Sequence, residues 1–114
     1  MKYQNLIEKA YENFNNRNID EVFTTMNSDV NWPNGWEGGY VKGFDAVRDY
    51  WTKQWNEIDP KVTPISFKEL KDGKLEIEVH QFAKDLKGEI IFDAVIKHIY
   101  TFQNDLIQSM EIEH

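Results

Sequence analysis

The hydrophobic period of this chain changes once, near residue 60, and that change limits the fold more than any other feature. Before it, apolar residues recur every three or four positions, as on helices with one buried face. Tyr3, Leu6, Ile7, Ala10 and Phe14 mark a first helix that Asn15 and Asn16 end. Asn18 begins a second, with Glu21 three residues on as in a capping box. Its apolar side is Ile19, Val22, Phe23 and Met26, and Asn27, Ser28 and Asp29 close it. Val30 and Trp32 read as a short strand stopped by Pro33, Asn34 and Gly35, and residues 36 to 41 read as a tight ribbon or loop. A third helix is predicted from Phe44 to Ile58, with Asp59 and Pro60 as its stop.

From Lys61 onward the apolar residues alternate, as strands with two different faces require. Turns are predicted at Lys71 to Lys74, Asp85 to Gly88, and Asn104 with Asp105, which divide the segment into a meander of four long strands. Helices first and strands afterwards make an α+β arrangement rather than a βαβ one. The third of these strands is the most unequal. Phe92, Ala94, Ile96, His98, Tyr100 and Phe102 share a face that is apolar apart from one imidazole. Asp93, Val95, Lys97, Ile99 and Thr101 share the other. A histidine in such a wall either bonds a fixed partner or meets something in a cavity.

Composition narrows the function. With 114 residues the chain is expected to form one domain, 1–114. Its net charge of −7, with Lys and Arg scattered singly, offers no basic stripe for phosphates, so neither nucleic acid nor an anionic membrane is an expected partner. The absence of cysteine rules out disulfides and thiolate metal sites, and the three histidines lack ligand spacing, so no metal and no cofactor are expected. Neither a signal peptide nor a membrane span is read, which makes a cytoplasmic protein the default expectation. Aromatic residues reach 14%, a surplus suited to pocket walls.

Several short motifs, in order, resemble the nuclear transport factor 2-like superfamily and its SnoaL-like and ketosteroid isomerase-like domains. They are Asn-Arg-Asn-Ile-Asp at 16–20, Asp-Val-Asn-Trp at 29–32, Gly-Phe-Asp-Ala-Val-Arg-Asp-Tyr-Trp at 43–51, the run from Trp51 to Pro60, and the run from His98 to Ile107. The resemblance implies a cone-shaped α+β barrel: three N-terminal helices packed on a curved, mostly antiparallel sheet, with an apolar cavity at the open end. It also implies a homodimer paired through the outer sheet face. It does not choose an activity, because the superfamily mixes isomerases, cyclases, dehydratases and binding modules.

The ketosteroid isomerase pattern fails residue by residue. It wants a tyrosine near Ala10, and Tyr11 stands one residue away, read as on another face. It wants a carboxylate base where Pro33 and Asn34 stand, and an oxyanion-binding acid at the place of His98. Dehydratases of this fold use sheet histidines, which His80 and His98 could imitate. A matching aspartate on the first helix is missing.

The expected site is therefore His98 as the catalytic group, with aromatic and apolar contacts around it. Trp32 and Trp36 border the opening, Trp51 and Trp55 come from the third helix, and Ile96, Tyr100 and Met110 come from the sheet. His80 and Phe82 join them only in one strand register. A three-residue turn after Asp85 puts His80 opposite Ala94, on the His98 face; a two-residue turn puts it opposite Asp93, on the other. The function expected is binding of a small apolar or aromatic molecule, with isomerisation, dehydration or cyclisation by a pocket histidine as a further step. A non-catalytic binding or homodimeric interaction module is the alternative.

Overall fold

The computed structural model describes residues 2–35 and 37–113. Helix α1 (Gln4–Asn15) and the short α2 (Ile19–Phe23) lead into strand β1 (Met26–Pro33). Strand β2 (Tyr40–Lys42) folds back on β1, and helix α3 (Phe44–Trp55) follows. Four strands complete the chain: β3 (Ile58–Glu69), β4 (Leu75–Asp85), β5 (Ile90–Gln103) and β6 (Leu106–Glu113). The sheet order is β2-β1-β6-β5-β4-β3, antiparallel except where β1 runs parallel to β6. Three helices thus pack on one face of an open, six-stranded sheet, and the meander over the second half stands as the alternation predicted.

Two boundaries differ from those read in the sequence. Met26 to Asp29 belong to β1, not to the end of α2, because Ile107 of β6 donates its N–H to the carbonyl of Thr25 (2.9 Å) and draws that segment into the sheet. Asn18 precedes α2 without a side-chain capping bond, so the capping box does not form. Helix α3 stops at Trp55, three residues early, and Ile58, Asp59 and Pro60 open β3. Proline is tolerated there because β3 is an edge strand, where a missing N–H breaks no ladder bond.

Side chains from the α1–α2 connection hold that edge. The Asn15 amide accepts from the Val62 N–H (2.9 Å) and donates to the Val62 carbonyl (2.8 Å), as a neighbouring strand would. Arg17 donates to the Pro60 carbonyl (2.9 Å) and pairs with Asp59. At the other end of the sheet, Gly43 (φ 87°) donates to the Val30 carbonyl (2.8 Å) and starts α3 in a conformation that costs a glycine little.

The core lies between the helices and the inner sheet face. Trp51 of α3 is 1% exposed and touches the rings of Phe14, Phe23, Trp32 and Trp55. Burying an aromatic ring of this size contributes about 3–5 kcal/mol by the cost of its removal. Leu75, Ile77 and Val79 of β4 and Ile96, His98 and Tyr100 of β5 form the facing wall. Among the described residues no helix is long and apolar enough to cross a membrane.

Candidate functional site

The site is built where α1 crosses the inner face of β5. Helix α1 buries Ile7, Ala10 and Tyr11, so its apolar stripe is wide enough to include both neighbours at 10 and 11. Tyr11 is therefore on the inner side, contrary to the expectation that it faces elsewhere. Its hydroxyl lies 2.8 Å from Nδ1 of His98, and it accepts a hydrogen bond from the Tyr100 hydroxyl, also at 2.8 Å. Three side chains that are all at least 95% buried form one hydrogen-bonded chain.

Counting donors assigns the protons. With Tyr100 donating to Tyr11, the Tyr11 proton is free to donate to Nδ1, and the ring carries its own proton on Nε2. The reverse order would leave two buried groups unmet, the Tyr100 O–H and a bare Nε2, where this order leaves one. Nε2 itself is buried and has no hydrogen-bond partner. Burial pushes the His98 pKa down from 6.5 to about 3, so the ring is neutral near pH 7. Burial likewise raises the Tyr11 and Tyr100 hydroxyls above the usual tyrosine range, Tyr11 with an added push from Tyr100. All three groups are uncharged, and the unmet one is an N–H donor.

His98 is one of the residues that line a cavity of about 70 Å³, open to solvent on one side. Ala10, Tyr11, Phe14 and Val22 form its helical side, Trp51, Tyr50 and Gln54 its α3 side. Trp32 and Pro33 come from β1, and His98, Tyr100 and Met110 from the sheet. Of the residues predicted for the site, His98, Tyr100, Trp32, Trp51 and Met110 meet here. Ile96 is buried on the same sheet face but outside the lining. Trp55 packs on Trp51 and Phe14, also outside the lining, with its indole N–H buried and unpartnered. Trp36 lies outside the described residues.

His80 and Phe82 are not in the cavity. The turn after Asp85 does span three residues, with Asp85 N–H donating to the Glu89 carbonyl (2.8 Å), which by itself would turn His80 inward. A bulge then intervenes: Lys84 pairs with Ile90 but Ala83 with Phe92, leaving Ile91 as an extra residue. The shift sets His80 opposite Val95, on the outer face. There its Nε2 meets Asp93 at 2.6 Å in a half-exposed pair. Phe82, two residues on, shares that face.

The residue that sequence reasoning missed is Tyr11. Ile7, Ala10, Tyr11 and Phe14 stand at i, i+3, i+4 and i+7, the pattern that carries the signal.

No protein-family model matches the chain, and no curated protein sequence does. Solved structures do. TerC, co-crystallised with polyporic acid, has 20% identity and a TM-score of 0.85, with 98% of this chain and 90% of that one covered. An NTF2-like protein of unknown function from Burkholderia pseudomallei has 19% identity and a TM-score of 0.84, over 99% and 90% of the two chains. A Mycobacterium tuberculosis protein in complex with estradiol-17β-hemisuccinate has 15% identity and a TM-score of 0.80, over 94% and 88%. At these identities the likeness is one of fold, and the fold is the nuclear transport factor 2-like α+β cone that the sequence motifs resemble.

Proposed function

We propose that this protein binds a small apolar molecule in the cavity between α1, α3 and the inner sheet face, and that His98 supplies a polar contact. The observation that carries this reading is a cavity walled by aromatic and aliphatic side chains, with His98 among its lining residues and the ring's buried Nε2 without a partner. Native interiors leave few such donors unmet, and an unmet one suits a group brought by a ligand. That similar folds are solved with polyporic acid and with estradiol-17β-hemisuccinate supports small-molecule binding as the use of the cone.

Binding is preferred to catalysis for two reasons. A general base works best with a pKa near the working pH, whereas burial holds His98 at about 3 with its Nδ1 already engaged. No Asp or Glu is among the described lining residues to serve as a second group. If chemistry follows binding, His98 enters it by polarising a substrate oxygen rather than by removing a proton, which is the form left to the isomerase, dehydratase or cyclase alternative.

The outer face is the proposed pairing surface for a second copy. It presents Val95 at 56% exposure. Light scattering at micromolar concentration is expected to give twice the 13.6 kDa chain mass; the single-chain mass would overturn this.

Thermal unfolding with saturating toluene tests the binding reading. A ligand at a hundred times its Kd stabilises by about 2.7 kcal/mol, a shift of several degrees for a chain of this size. Ala10→Leu, which fills the cavity from α1, is expected to abolish the shift. No shift in the wild type, or an equal shift in the filled variant, would sink the proposal.

A further inference from the structure

The inner-facing positions of β4 are Leu75, Ile77, Val79, Gln81 and Ala83, a row of apolar side chains interrupted by one amide. The apolar members are buried, whereas Gln81 keeps part of its surface exposed and lines the cavity. Among the described residues its amide has no hydrogen-bond partner. Nor is that amide sealed in. The unpartnered side-chain atoms without accessible surface belong to Trp55 and His98, and those of Gln81 are not among them. The backbone nearby offers no substitute: β4 is paired on both sides, and across the ladder Val62 has its N–H and carbonyl answered by Asn15. An inward amide that water reaches and the protein leaves unanswered is a place where a ligand adds hydrogen bonds without breaking any within the chain.

Its position gives the cavity a direction. Gln81 stands opposite Ala94, four residues along β5 from His98, which at the rise of a strand is about 13 Å. Tyr100 and its neighbour Met110, further along still, line the same cavity. The lining therefore runs lengthwise on the sheet, with Tyr100 and Met110 at one end and the Gln81 amide at the other. A dry cavity of about 150 Å³ holds benzene, so a one-ring ligand extends beyond the 70 Å³ found here, through the open side. Gln54 of α3 is the other amide on the lining, but it comes from a helix whose surface is polar in any case.

We propose that Gln81 determines specificity by pairing edge to edge with a primary carboxamide or a lactam on the ligand, whose apolar part lies along the aromatic wall. This rests on the binding reading above and names the ligand's polar group. A carboxamide offers the glutamine oxygen a donor and the glutamine nitrogen an acceptor at once, and it turns over with Gln81 if that amide flips. A ketone of the same shape answers the nitrogen alone. A carboxylate sets a negative oxygen against the glutamine oxygen, and no Lys or Arg is among the described lining residues to offset it.

Benzamide, acetophenone and ethylbenzene share a shape and differ in the groups they offer. Titrated into the full chain and followed by NMR, benzamide is expected to bind about tenfold more tightly than acetophenone, the value of one further hydrogen bond. Gln81→Met keeps the length of the side chain and loses both polar atoms, so the preference should disappear while ethylbenzene is held within about threefold. Its urea midpoint should equal or exceed that of the wild type, because no hydrogen bond within the protein is lost; a lower midpoint would make Gln81 a structural residue and overturn the assignment. Gln81→Glu puts a charged oxygen in place of the amide nitrogen and should prefer benzamidine to benzamide by about tenfold, the reverse of the wild type. Ethylbenzene binding without a preference for benzamide, a Gln81→Met protein that keeps the preference, or its loss in Gln54→Met alone would overturn the proposal and leave the binding reading standing. Binding of none of the three probes to the wild type would overturn both.

Discussion

His98 and His80 lie on adjacent antiparallel strands, three ladder positions apart, and the sheet treats them in opposite ways. His80 faces outward, half-exposed, with the Asp93 carboxylate on its Nε2 at 2.6 Å. His98 faces inward at 4% exposure, has no carboxylate, and bonds a tyrosine on Nδ1. Outside, water screens the imidazole and the carboxylate it touches. Inside, an added proton has nowhere favourable to go, and the ring becomes a fixed donor. The same side chain is thus a half-exposed partner of a carboxylate on one face and a buried, neutral ring on the other, and only strand register separates the two.

The largest test of that contrast removes bulk from each face. Tyr100→Ala is expected to cost about 3–5 kcal/mol, because it opens a void in the inner wall and unmakes the hydroxyl chain. Lys97→Ala, three residues earlier on the outer side, should stay within about 0.5 kcal/mol. Urea unfolding of both variants checks this, and comparable losses would mean that the faces are not distinct.

A smaller effect comes from removing one polar partner on each side. Tyr11→Phe leaves Nδ1 of His98 and the Tyr100 hydroxyl unmet, at an expected cost of about 2 kcal/mol. Asp93→Asn outside should cost less than about 1 kcal/mol, and less still in high salt. Equal costs would show that the hydroxyl chain contributes no more than a surface pair.

Acid sharpens the comparison further. The pKa of His98 falls from 6.5 unfolded to about 3 folded, so between those values the unfolded chain binds the extra proton. The stability His98 supports is complete above 6.5 and declines as pH falls toward 3, by about 1.4 kcal/mol per unit. Between pH 6.5 and 5, before most carboxylates titrate, His98→Phe should flatten the slope. A wild-type slope in His98→Phe would contradict a buried neutral ring.

Most of the fold was legible because burial writes a period into the chain. The inner face of β5 could be read off directly, since each of Ala94, Ile96, His98 and Tyr100 repeats at two. The extent of α3 could not, because Ile58 continues the helical stripe and only pairing with Asp85 on β4 claims it for the sheet. The bulge at Ile91 was equally hidden: nothing in the residue types of Ile90, Ile91 and Phe92 marks which one is extra. That single residue decided the side of His80. The site itself was half legible. His98 and Tyr100 announced themselves on a strand, but their link to Tyr11 joins positions 87 and 89 residues apart, which no local spacing encodes.

The bracing of β3 by the α1–α2 connection has a consequence beyond holding the sheet. Alternate residues of an edge strand turn their N–H groups away from the sheet, toward any strand that might dock. Between residues 60 and 64 of β3 those positions are Pro60, Val62 and Pro64. Two are prolines with no proton to offer, and the third is already answered by Asn15. Along that half of the rim a stray strand finds no donor to start a ladder. That stretch of the edge is thereby guarded against pairing with another strand, by two imino acids and one amide.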